Sequence, residues 1–196
     1  SIEYFGDYIM AGTLSVQKIQ GLASSATPTV VEVSSGHTLV QPHMPLQIVQ
    51  GNINTAVSTT STSFVDVGLS ATITPKFATS KVLVTVVLGK VGQSNTNGSS
   101  WKIFRNSDVV IQHSAASGNA QTQAAFHISN GIYGASHPER YVDTPILNFL
   151  DSPSSTSSLV YKIQWKVDGG TAYLNRWAVN TDMGSTSSIT LTEVAQ

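Results

Sequence analysis

The sequence predicts an all-β protein: a β-sandwich, jelly-roll-like, preceded by an extended N-terminal arm. Three observations lead there. Charged residues make up only 11% of the chain against 40% hydrophobic, so hydroxyls must solvate much of the surface. The 27 Ser and 21 Thr among 196 residues suit strand faces and turns and are indifferent helix formers. Apolar residues recur with a period of two in segment after segment, and turn signals separate eight or more such segments at short intervals.

Residues 1–51 read differently from the rest. Their apolar runs (12–20, 29–33, 37–40 and 46–49) are short and are broken by Ser, Ala and Gly clusters and by Pro28, Pro42 and Pro45. Proline offers a ladder no donor, so little regular pairing is expected, and the segment reads as an arm rather than a core.

The sandwich domain is expected over 52–196. In 64–74, Val65, Val67, Leu69, Ala71 and Ile73 fall on one face and Asp66, Gly68, Ser70, Thr72 and Thr74 on the other, a half-buried strand. Residues 81–88 are almost continuously aliphatic, as in a mid-sheet strand covered on both faces. Strands at 101–105 and 109–112 flank Asn106-Ser107-Asp108, and others are expected at 124–129, 145–151 and 188–194. In 159–167, Tyr161, Ile163, Trp165 and Val167 alternate with Lys162, Gln164 and Lys166. Asp168-Gly169-Gly170 then leads into 171–177, and because these residues supply the positive φ of tight turns, the two strands are expected to form a hairpin. Hydroxyl-rich loops are expected at 92–100, 115–122 and 152–158.

Composition also excludes functions. A net charge of −1 and ten scattered Lys and Arg give no basic patch for nucleic acid. No apolar run approaches a membrane span, and Glu3 and Asp7 stand where a signal peptide is basic, so neither membrane insertion nor export by that route is expected. There are no cysteines. The histidines at 37, 43, 113, 127 and 137 match no ligand spacing, so no metal and no cofactor is expected. No G-x-S-x-G elbow is present, and Asp143 and Asp151 are the carboxylates that could be nominated for glycoside hydrolysis. Trp165 reads as core. Trp101, Tyr173 and Trp177, with Arg176 as a charged donor, form the candidate platform for a glycan or other receptor.

Three sets of residues carry a family likeness: 62–75 (TSFVDVGLSATITP) with 80–84 (SKVLV), 146–153 (ILNFLDSP) with 161–164 (YKIQ), and 188–194 (SITLTEV). They resemble virion structural proteins of tailed bacteriophages, especially the fibre-like proteins of marine phages. Residues 12–20 (GTLSVQKIQ) and 35–39 (SGHTL) are similar to segments that precede this domain in such proteins. The resemblance implies a non-enzymatic virion component, commonly a homotrimer, whose β-sandwich head is attached to capsid or tail proteins by its N-terminal segment. The anchoring residues would then be Tyr4, Phe5, Tyr8, Ile9, Leu14, Val16 and Ile19, and distal loops would meet the host surface. No long fibrous shaft is present, which points to a short tail fibre or a head fibre or knob. A capsid decoration (cement) protein without receptor binding is one alternative, and a carbohydrate-binding module or cupin-like metal enzyme is another of a different class.

Overall fold

The computed structural model describes residues 38–94, 98–111, 125–128, 142–177 and 184–196. All its strands lie in one compact unit, Val40–Gln196; of the preceding unit, Ser1–Leu39, only Thr38 and Leu39 are among the described residues. The expected anchoring residues, Tyr4 to Ile19, therefore lie outside them.

The described residues form thirteen strands and no helix, and none of their elements is a helix long and apolar enough to cross a membrane. A front sheet pairs β1 (Pro45–Ile53), β13 (Ser187–Val194), β4 (Lys81–Val87) and β10 (Ile146–Asp151) in that order, all antiparallel. A back sheet pairs β3 (Val65–Ile73), β11 (Leu159–Val167), β6 (Ser99–Arg105) and β7 (Asp108–Ile111), with β8 (Phe126–Ile128) on the edge of β6 that β7 also occupies. A third sheet pairs β2 (Val57–Thr59), β12 (Ala172–Leu174), β5 (Val91–Gln93) and β9 (Val142–Asp143).

The third sheet repeats the lateral order of the front sheet. The chain runs from β1 into β2, β4 into β5, β9 into β10 and β12 into β13, so the two are halves of one longer sheet with a break across it. Asn175 organises the break. Its Nδ2 donates to the carbonyls of Ile53 (2.9 Å) and Thr55 (3.1 Å), its Oδ1 accepts from Ser187 Oγ (2.6 Å), and its backbone N–H donates to Lys90 O (2.8 Å). Its φ of 62° is left-handed, a conformation Asn tolerates better than most residues. Gly89 sits against it: a Cβ there would meet Asn175 Oδ1 and Ser185 Oγ at 2.5 Å.

Front and back sheets enclose one apolar core. The front sheet lines it with Val82, Val84, Val86, Ile189 and Leu191, and the back sheet with Leu69, Ile73, Ile103, Tyr161, Ile163 and two tryptophans, Trp101 and Trp165. The tryptophan rings lie 5.0 Å apart and tilted, and Phe126 stacks on Trp101 at 5.6 Å. At one margin β1 crosses close to β3, where a Cβ on Gly51 would collide with the Ser70 carbonyl oxygen.

The structure corrects four expectations. The arm boundary at 51 falls inside β1, which pairs with β13 from Pro45↔Val194 to Ile53↔Ser187; Pro45 is tolerated because it is the first residue of an edge strand. β4 is mid-sheet as expected but covered on one side only, with Val82, Val84 and Val86 inward and Leu83 37% exposed. The hairpin expected through Asp168-Gly169-Gly170 does not form: β11 pairs with β3 and β6, whereas β12 pairs with β2 and β5, and the turn carries the chain between sheets. Residues 92–100 are not one loop, because β5 and β6 take its ends and bury Ser99 and Ser100 completely. The two-residue connection Asn106-Ser107 does make a hairpin, β6–β7, closing on Arg105↔Asp108 with Asn106 at φ 55°.

Candidate functional site

Of the four proposed receptor-contact residues, the structure brings two into direct ring contact. The Arg176 guanidinium lies 4.5 Å from the centre of the Tyr173 ring, and its Nε donates to the Trp177 carbonyl at 3.0 Å. Tyr173 points outward from β12, between buried Ala172 and Leu174. Trp177 is half-buried, with its indole N–H sealed and unpartnered. Trp101 does not belong to this group. It is 0% exposed, and its Nε1 donates to Ser99 Oγ at 3.0 Å, so it is core and offers no ligand a face.

The outer face of the front sheet is the largest feature that reading by motif missed. Register aligns its outward residues in rows: Ile146, Val87, Ser188 and Asn52; Asn148, Thr85, Thr190 and Gln50; Leu150, Leu83, Thr192 and Ile48. None of these twelve is charged. Ile48 is 66% exposed, Ile146 65% and Leu150 51%. The only charge in an outward position on these strands is Lys81, at the margin opposite Val194. The two acids of the same sheet point the other way. Glu193, 0% exposed, accepts from Gln47 Nε2 (2.6 Å) and the backbone N–H of Lys76 (2.8 Å) and Phe77 (3.4 Å). Burial pushes its carboxyl upward, but these hydrogen bonds outweigh burial and hold it below the usual range. Asp151 Oδ2 accepts from Arg105 Nη1 (2.6 Å) and the Tyr161 hydroxyl (2.7 Å), tying the front sheet to the back one. Burial, then Asp151, pushes the Tyr161 hydroxyl well above its ordinary value.

The back sheet's outer face has the opposite character. Asp66 receives Gln164 Nε2 at 2.6 Å and Lys162 Nζ at 3.1 Å; the Gln164 hydrogen bond is the main cause of its lowered pKa, offset in part by burial. Between the pairs Lys162↔Ser70 and Gln164↔Asp66 the ladder slips: β3 bulges with Gly68 at φ 91°, a conformation that suits glycine. Asp66, Gly68, Ser70, Val160 and Lys162 line a depression of about 100 Å³ beside the bulge. Further along, Lys102 and Lys166 both lie over the Phe64 ring, at 4.2 and 5.6 Å from its centre.

Among the described residues no group of three His, Asp, Glu or Cys is placed to hold a metal ion. His43 is exposed; His37, His113, His137 and the side chains of His127 and Asp143 lie outside the described residues. The nominated Asp151 is engaged by Arg105 and Tyr161 in an inter-sheet tie. No family model and no curated protein matches the chain. The site therefore rests on the chemistry of its two faces: a neutral one suited to excluding water against another neutral surface, and a charged one suited to polar ligands.

Proposed function

We propose that this chain is a structural protein of a tailed-bacteriophage virion, of the short tail-fibre or head-fibre type. Its sandwich acts by apposing surfaces to further copies of itself and to particle proteins rather than by catalysis. The observation that carries this reading is the uncharged outer face of the front sheet, with Ile48, Ile146 and Leu150 each more than half exposed. In a three-fold ring each contact joins two different patches of neighbouring copies, and a face without charges meets either patch with no like-charge repulsion and no buried ion to desolvate. The strand order adds support. With collinear segments merged and the short edge strand β8 set aside, the remaining eight strands follow the orders 1-8-3-6 and 2-7-4-5, an interleaving that supports a jelly-roll reading, an architecture used by viral capsid proteins. The resemblance of residues 62–75, 146–153 and 188–194 to phage fibre-like proteins supplies the particle and the copy number of three.

Quantitative mass spectrometry of purified particles of the encoding phage tests the assignment. Peptides of this chain are expected in intact virions at a copy number divisible by three. Particles that assemble fully and lack the chain would overturn it.

A further inference from the structure

The back sheet carries a pair of lysines that neither its packing nor the proposed function requires. Register sets Lys102 opposite Gln164 and Lys166 opposite Ser100, which makes the two lysines diagonal neighbours on adjacent strands. At that spacing, roughly 7–8 Å, long side chains meet, and like charges repel. Both are nevertheless held there, Lys102 at 8% and Lys166 at 6% exposure, with both ammonium groups over the ring of Phe64.

The acids among the described residues do not balance this charge. Lys166 meets Asp168 at 3.8 Å. Asp66, in the same row as Lys102, has one oxygen taken by Gln164 and the other by Lys162. No ion pair joins Lys102 to any carboxylate among the described residues. Burial lowers its pKa first, and repulsion from Lys166 lowers it further. Two ammonium groups steered onto one aromatic ring, one of them without a counter-charge, form the donor half of an anion site.

We infer that Lys102 and Lys166, on the floor made by Phe64, bind an oxyanion, the phosphate or carboxylate group of a ligand that docks on the outer face of the back sheet. The inference does not depend on the virion assignment, because it rests on the two lysines, the shared ring and the spent carboxylates alone. The ligand's oxygens take the place of the missing counter-charge, and up to three N–H donors on each lysine are available to them.

Side-chain NMR of the full chain, titrated separately with inorganic phosphate and with glucuronate, tests it. A saturable shift of the Lys102, Lys166 and Phe64 signals is expected with at least one of them. A response to phosphate alone assigns a phosphate-bearing ligand, and a response to glucuronate alone an acidic sugar. Lys102→Met is expected to weaken binding about tenfold or more, Lys102→Arg to retain most of it, and Lys81→Met on the front sheet to leave it unchanged. No saturable response to either probe, or an equal loss in Lys81→Met, would overturn the site; the wild-type titration decides even if Lys102→Met does not fold.

Discussion

The outer face of the front sheet presents Ile48, Leu83, Ile146 and Leu150 among Thr, Ser, Asn and Gln; that of the back sheet presents Asp66, Lys102, Lys162, Gln164 and Lys166. Charge is scarce in this chain, and it is also sorted. The front sheet turns its two acids, Glu193 and Asp151, inward and leaves its exterior uncharged but for Lys81 at the margin, whereas the back sheet turns only Arg105 inward, onto Asp151, and sets Asp66, Lys102, Lys162 and Lys166 on its outer side. The inner linings differ as well: the fully buried apolar side chains under the front face are aliphatic, whereas the back one adds Trp101, Trp165 and Tyr161. Low charge spread evenly would be a solubility property. Low charge concentrated into one blank face is a property of contact surfaces.

The contrast in linings gives the largest expected effect. Trp101→Ala, beneath the back face, is expected to lower unfolding free energy by about 4 kcal/mol in urea denaturation, through lost contact with Trp165 and Phe126 and the cavity left behind. Leu191→Ala, beneath the front face, is expected to cost less, about 3 kcal/mol. A Trp101 loss below that of an exposed substitution would place the indole outside the core and return it to the receptor-contact residues.

Glu193 gives an intermediate effect with a pH signature. Its folded pKa is held below the unfolded one, so its contribution is full above the unfolded value, near 4.3, and is lost as pH falls through the folded value. Glu193→Gln is expected to cost about 2 kcal/mol at neutral pH and to flatten the acid limb of the stability curve, read by denaturation between pH 7 and pH 3. An unchanged acid limb would show that the inward acids of the front sheet do not anchor it.

Most strands were legible because alternation reports which face meets the core: 64–74 and 159–167 have the facing that period two assigns to them, except that Val65, at the start of β3, stays 37% exposed. What misled was apolar character with two possible causes. The nearly continuous run in β4 reads as a strand covered on both sides, yet Leu83 is apolar and exposed; hydropathy records side-chain type and cannot tell a second core from an uncovered contact face. Asp168-Gly169-Gly170 has hairpin chemistry, but a turn fixes only local direction, and the pairing of β12 is decided by β2 and β5. The lysine pair could not be read from sequence at all, because Lys102 and Lys166 meet only through the β6–β11 register. Tyr173 and Arg176, three apart, were close enough in sequence for their contact to be anticipated.

The smallest expected effect on stability is the largest on assembly. Leu83→Lys with Leu150→Lys places two charges side by side on the blank face, where both residues are exposed, and is expected to shift stability by less than about 1 kcal/mol. Sedimentation equilibrium of the full chain and this variant tests whether the blank face is a contact surface. The wild type is expected to self-associate with rising concentration and the variant to stay monomeric over the same range. A wild type that remains monomeric throughout, or a variant that associates equally well, would contradict it.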